Sequence, residues 1–254
     1  MKVLLSPTKS IDTTKVKGSY SFTIPHFIND SEKLVQKLRR VKAKKLAELM
    51  HISMDLAELN EQRFTNWQVP TQQTPDVVPS ILAFSGEVYR GLDAYSLDEV
   101  ELAHANQSIR ILSGLYGMLK PLDLMVPYRL EMGTKWEVSP KIKNLYQFWG
   151  KKIAEELNKE MTANEVVVNL ASTEYFKAVD KKTLKSKVIT PMFKDFKNGD
   201  YKIVMMYAKH ARGAMARYIV KNDITDPEEL KLYDVDGYTF DVNQSTETDW
   251  VFVR

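Results

Sequence analysis

Residues 187–221, KVITPMFKDFKNGDYKIVMMYAKHARGAMARYIVK, decide the fold class. Lys187 to Lys197 reads as one strand, and Asn198-Gly199 is the dipeptide of a type I′ turn, whose two central residues both need positive φ. Tyr201 to Tyr207 reads as the returning arm. It runs directly into a basic helix expected from about Ala208 to Lys221. Strand, hairpin and helix in one continuous stretch are the building unit of a mixed α/β protein.

Outward from this stretch the same alternation continues. Lys2-Val-Leu-Leu-Ser6, Ile109 to Ser113 and Val166-Val-Val-Asn-Leu170 read as buried strands. Asp30 or Ser31 is expected to cap a helix carrying Leu34, Val35, Leu38 and Val41 at helical spacing. A helix pair follows, with Leu46, Leu49 and Met50 on the first face, a break at His51-Ile52, and Ser53 capping a second helix with Leu56, Leu59, Phe64 and Trp67. Ile81 to Phe84 is a short apolar run before Gly86. Ser96-Leu-Asp-Glu99 reads as a capping box opening a helix to about Asn106, and Asn144 to Met161 reads as one helix. Asp226-Pro-Glu-Glu229 starts a short helix, and Gly237–Val242 with Asp249–Val253 forms a last strand pair. No repeat, low-complexity tract or flexible linker divides the chain, so residues 1–254 are expected to form one domain, a mixed sheet surrounded by helices.

Composition narrows the function. The chain has 254 residues, 44% hydrophobic and 27% charged, as expected of a globular protein with a substantial core. No stretch approaches the ~20 apolar residues of a membrane helix. The start, MKVLLSPTKS, turns polar too early for a signal peptide, so a cytoplasmic protein is expected. Absence of Cys excludes disulfides, thiolate nucleophiles, iron–sulfur ligation and Cys-based zinc sites. Net charge is only +3, but its distribution is uneven. Cations crowd into Lys33–Lys45, Lys177–Lys187 and Lys194–Lys221, whereas Asp226–Asp249 carries eight acids against Lys231 alone.

Four constellations carry candidate chemistry. Lys9 follows the first strand, where α/β sheets place ligands, and reads as a phosphate contact, an amine nucleophile or a solvated loop lysine. Ile109 to Met132 places Gly114, Tyr116 and Gly117 ahead of Asp123, Tyr128, Arg129 and Glu131. The glycines let the backbone turn and another group approach closely. The acids, phenol and guanidinium suit an active site or a buried ion pair with a tyrosine beside it. Ser172 reads as a helix cap rather than a nucleophile, with Glu174 and Lys177 beyond it. Lys209, Arg212 and Arg217 lie on the basic helix among small residues, which suits contact with a phosphate backbone. The four histidines show no metal-ligand spacing, and there is no Walker or Gly-x-Gly-x-x-Gly loop, so neither a metal nor a nucleotide cofactor is expected.

SPTKSID (6–12), AFSGEVYRGL (83–92), RILSGLYGMLKPLDLMVPYRLEMG (110–133), LYQFWG (145–150), NLASTEYFKAV (169–179) and FKNGDYKIVMMYAKHARGAMARYIV (196–220) occur in that order. Together they resemble the YaaA family of bacterial peroxide-stress resistance proteins. The resemblance implies a cytoplasmic protein that limits iron-driven DNA damage under hydrogen peroxide, with a single-domain α/β fold. It also implies DNA binding through a positively charged cleft and a helix-hairpin-helix element, matched here by Val41–Trp67. The Met50-His51-Ile52-Ser53 turn departs from that element's pattern in having no glycine, which leaves the helix start at Ser53 as its phosphate contact.

The leading expectation is therefore a protein that holds double-stranded or distorted DNA by its backbone, largely independent of sequence. Its expected contacts are Lys42, Lys44, Lys45, Ser53, Lys177, Lys209, Arg212 and Arg217. The alternative is an enzyme acting on a damaged or modified nucleobase, with Lys9, Tyr116, Asp123, Arg129, Glu131 and Glu174 as its catalytic set. Direct iron binding is disfavoured by the scarcity of clustered ligands.

Overall fold

Val3, Leu4 and Leu5 have no solvent exposure, and the strand they form is the axis of the sheet. The computed structural model describes residues 1–254. In chain order the strands of the main sheet are β1 (Lys2–Leu5), β2 (Ile109–Ser113), β3 (Gly117–Leu119), β4 (Val167–Asn169), β5 (Val188–Lys197), β6 (Asp200–Lys202), β7 (Thr239–Asp241) and β8 (Asp249–Val253). Their spatial order is β7-β8-β5-β4-β1-β2-β3, with β6 paired to β5. The central strands β8, β5, β4, β1 and β2 are parallel, and Val3 stands opposite Ile109 on one side and Val168 on the other. β3, β6 and β7 pair antiparallel. Parallel strands must be covered on both faces, which accounts for the near-continuous apolar runs in β1, β2 and β4. One continuous core runs from Val3 to Phe252, and the chain is a single-domain α/β fold with helices around a mostly parallel mixed sheet.

The stretch read first in the sequence folds largely as its chemistry dictates. Asn198 and Gly199 both have positive φ, 55° and 81°, as the type I′ turn demands. The returning arm is shorter than its apolar content predicts. It pairs only over Asp200–Lys202, and the helix begins at Met205 and runs to Lys221. That helix crosses the short helix Glu87–Leu92 so closely that a Cβ added to Gly213 would lie 1.7 Å from the Val88 carbonyl oxygen.

Other boundaries differ for identifiable reasons. The first helix, Ile28–Leu38, starts ahead of Asp30 and Ser31, and the Ser31 hydroxyl donates back to the Phe27 carbonyl at 3.1 Å. The capping box is made by Asp98 and Glu101, two residues beyond the Ser96–Glu99 pair. The apolar period from Asn144 to Met161 spans two helices, Leu145–Trp149 and Lys152–Glu160, because Gly150 takes a positive φ of 49°. The helix pair consists of Ala43–Met50 and Met54–Asn66, and His51 adopts the left-handed conformation at φ 52° where a glycine is usual. Ser53 caps the second helix by accepting from the Leu56 N–H at 3.4 Å.

Candidate functional site

The chain leaves β1 toward β2 and β3 on one side, while β4, β5 and β8 lie on the other. Such a divergence opens a crevice at the carboxyl ends of the strands, the usual ligand position in an open α/β sheet. Three segments meet there: Ser6–Lys9 after β1, Tyr128–Thr134, and Ala171–Tyr175 after β4. The Ser172 N–H donates to Ser6 Oγ at 2.8 Å, and Ser6 Oγ donates to Ser172 Oγ at 3.2 Å, so the first and third segments are tied together. Ser172 occupies the N-cap position of its helix, with its hydroxyl turned to Ser6 rather than to the helix. Gly114, directly after β2, lets the second segment cross the strand ends. A Cβ there would sit 2.2 Å from the Leu130 carbonyl oxygen.

Lys9, Arg129 and Glu131 come together on this frame. Lys9 Nζ lies 2.8 Å from Glu131 Oε2, and Arg129 Nη2 donates to Glu131 Oε1 at 3.3 Å. One carboxylate between two cations leaves a net positive charge, and the buried Arg129 Nε has no hydrogen-bond partner. Tyr128 and Tyr175 border the same site. The Tyr128 hydroxyl is 2.5 Å from Ser113 Oγ, and burial pushes its pKa up. Burial also raises the Tyr175 pKa, assisted by Tyr128, Glu174 and Glu131. Both phenols are therefore neutral at physiological pH.

Glu174 extends the cluster. Its Oε1 accepts the Gly133 N–H at 2.8 Å, and with Glu131 it lines an adjoining cleft of about 280 Å³. The opposite wall of that cleft is the end of the helix Ala43–Met50, contributed by Leu49, Met50 and His51, and Lys135 lies along it. Lys177 stands 5.0 Å over the Tyr146 ring, whose hydroxyl donates to the Glu174 carbonyl.

Tyr116 and Asp123 are held elsewhere. Tyr116 is wholly buried, its hydroxyl accepts from Trp67 Nε1 and from the Val126 N–H, each at 3.1 Å, and burial pushes its pKa up to about 12. Asp123 is also buried, where it accepts from the Thr23 hydroxyl at 2.6 Å and the Lys120 N–H at 2.7 Å. Burial raises its pKa against those hydrogen bonds. Both residues organise the chain between β3 and the crevice and do not line it.

The cations of the leading expectation divide in the same way. Lys42 pairs with Glu61 at 3.0 Å and Lys45 with Glu48 at 3.0 Å, both at the surface, while the neighbouring Lys44 is exposed without an ion pair. Arg217 donates to the Leu92 and Asp93 carbonyls at 3.2 and 3.0 Å, closing the end of the helix Glu87–Leu92. Lys209 is exposed and unpaired. Arg212 is half-buried, has neither a carboxylate partner nor a hydrogen bond, and burial lowers its pKa. No group of three or more His, Asp or Glu side chains is close enough to hold a metal ion. No helix is long and apolar enough to cross a membrane.

Two cleft residues escape sequence reasoning. Lys135 belongs to no periodic segment, and His51 reads only as a helix break. His51 takes the left-handed conformation that ends its helix, as Asp93 does after Leu92, and no period or motif marks it as a cleft residue.

Comparison with known proteins bears on the whole chain. Residues 1–244 match the family described as "Peroxide stress protein YaaA". A UPF0246 protein of Aliivibrio fischeri is 50% identical over 256 residues, covering 100% of this chain and 98% of the relative. UPF0246 proteins of Paraburkholderia phytofirmans and Flavobacterium psychrophilum are 47% and 48% identical, each over 100% of this chain and over 98% and 100% of their own lengths.

Proposed function

The chain belongs to the YaaA family of peroxide stress proteins, and on that premise we propose that it serves the peroxide response as a cytoplasmic DNA-binding protein that holds the DNA backbone. The observation that carries this reading is Arg212. A guanidinium kept partly out of water with no counter-charge costs free energy that an incoming phosphate recovers. Lys209 and Lys44 add exposed, unpaired cations. Lys42 and Lys45 exchange their surface partners for phosphate at little cost, because exposed ion pairs are worth about 0–1 kcal/mol. The helix pair acts here as a helix-hairpin-helix-like element, with Ser53 opening a helix whose first N–H groups and dipole favour an anion. Arg217 supports the helix Glu87–Leu92 and lies outside the contact set.

Backbone binding of this kind has affinities of about 10⁻⁴ to 10⁻⁶ M at physiological salt and falls steeply as salt rises. The test is equilibrium binding of fluorescent duplex, bulged and four-way-junction DNA across a salt series, for wild type and Lys209→Ala/Arg212→Ala. The expected result is a steep log–log slope that the double variant reduces by roughly one to two. Salt-insensitive binding, or no binding at low salt, refutes the reading.

A second reading, an enzyme acting on a damaged nucleobase, is favoured by the convergence of Lys9, Arg129, Glu131 and Glu174 beside the helix pair. Its test is release of base or strand scission from duplexes carrying oxidised bases. Activity abolished by Glu131→Gln supports it, and inert wild-type protein that still binds the DNA removes it.

A further inference from the structure

The hairpin β5–β6 and the start of the following helix expose an unusual amount of apolar surface. Phe196 and Met205 are each 62% exposed and Met206 56%, and Tyr201, Ile203 and Tyr207 are exposed beside them. Surface this apolar within a dozen residues marks an interaction site rather than scattered exposure. Phe196 and Tyr201 are cross-strand neighbours, with ring centroids 5.2 Å apart in an edge-to-face arrangement. β8 pairs with β5 as far as Lys194, and directly after it the Arg254 carbonyl still accepts the Phe196 N–H at 2.7 Å, so the backbone of the tongue is anchored while its two rings remain exposed.

The charge of the same segment selects the occupant. Lys197, Lys202 and Lys209 are exposed and form no ion pair, against a single exposed acid, Asp200. The other acid of the hairpin, Asp195, is buried and occupied by Arg254 and the Tyr238 hydroxyl. In an antiparallel pair Phe196 and Tyr201 share one face while Lys197 and Lys202 take the other, across from Asp200 and the buried Asp195, so the tongue has an aromatic side and a charged side. An acidic peptide satisfies the lysines but leaves the two exposed rings without a partner. A strand of unpaired nucleotides supplies both planar bases and phosphates.

We propose that this tongue is a stacking platform for unpaired nucleotides, with Phe196 and Tyr201 receiving bases while Lys197, Lys202 and Lys209 hold the flanking phosphates. The inference rests on the DNA-binding reading and adds to it a preference that neither the basic helix nor the helix pair supplies. Stacking is indifferent to base identity, because every base has a π face, so single strands are favoured over paired DNA without sequence readout.

The test measures anisotropy of fluorescein-labelled oligo-dT, a duplex with an internal bubble and the same duplex fully paired, with wild type and Phe196→Ala/Tyr201→Ala. Both positions are exposed, and a thermal melt verifies that the variant folds. The expected result is a loss of roughly tenfold or more on oligo-dT and on the bubble, with fully paired duplex nearly unchanged. Equal affinities of variant and wild type for oligo-dT overturn the platform while leaving duplex binding intact. Absence of wild-type binding to any of the three DNAs overturns the DNA-binding reading as well. If the double substitution instead abolishes self-association or sedimentation with anionic vesicles and leaves oligo-dT binding untouched, the patch serves a second copy or a membrane surface, and the proposal falls.

Discussion

Replacing Gly114 by Ala tests how the fold holds the crevice together. The new Cβ would lie 2.2 Å from the Leu130 carbonyl oxygen and 3.2 Å from the Glu131 carbonyl carbon, both backbone atoms that no rotamer change removes. Gly114 has little freedom to retreat, because it follows the buried β2 and its carbonyl accepts from Trp149 Nε1 at 3.1 Å. The crossing segment must therefore move by about 1 Å to restore ordinary contact. Overpacking of this kind costs about 1–3 kcal/mol, and a backbone obstacle puts the cost near 3. In a chain of this size that lowers the melting temperature by roughly 6–12 °C. The same shift carries Glu131 off Lys9, now 2.8 Å away. Gly133→Ala is the control, since its Cβ would meet only the Glu174 side chain, whose Oε1, Cδ and Cγ lie at 3.0, 3.3 and 3.4 Å and can shift, and it should cost under about 1 kcal/mol. Urea denaturation of both variants measures the difference. A Gly114→Ala protein within about 0.5 kcal/mol of wild type would refute the reasoning.

Three further outcomes follow from the same geometry. Tyr116→Phe strands the Trp67 and Val126 N–H donors in the core and should cost about 2–3 kcal/mol in urea melts, with DNA affinity per folded molecule unchanged. Glu165 accepts from the Met1 ammonium at 2.6 Å, and that bond, assisted by the Thr162 N–H, lowers its pKa to about 2. Its stabilisation is complete above the unfolded pKa of about 4.5 and disappears as pH falls toward 2; Glu165→Gln should flatten this acid limb by about 1 kcal/mol after allowance for solvent screening, and an unaltered pH profile would contradict the assignment. Arg217→Ala should lower stability by about 1–2 kcal/mol through the freed Leu92 and Asp93 carbonyls while leaving the salt slope of DNA binding unchanged, and a shallower slope would return Arg217 to the contact set.

Local chemistry made much of this architecture legible in the sequence. β1, β2 and β4 are short apolar runs because parallel strands are buried on both faces, and Asn198-Gly199 admits few alternatives to its turn. Boundaries failed where a single residue overrides a period, as Gly150 does within Asn144–Met161. The candidate site was only partly legible. Lys9, Arg129, Glu131 and Glu174 stand in different segments, and their meeting depends on the sheet order, which periodicity does not encode. Tyr116 and Asp123 belong to the same motif as Arg129 and Glu131, yet neither lines the cluster: the Tyr116 ring packs edge-to-face against Tyr128 from the core side at 5.4 Å, and the polar atoms of both satisfy core donors. Arg217 shares its helix with Arg212, and only the position of the Leu92 carbonyl separates a helix-closing cation from an uncompensated one.

Hydrogen–deuterium exchange of the full chain with and without saturating duplex DNA tests the central claim most directly. The account predicts slower exchange at the helix pair, residues 43–66, and in the first turns of the helix Met205–Lys221, with the acidic stretch Asp226–Asp249 unaffected. Unchanged exchange in both helical regions while DNA is bound, or protection confined to the acidic stretch, would contradict it.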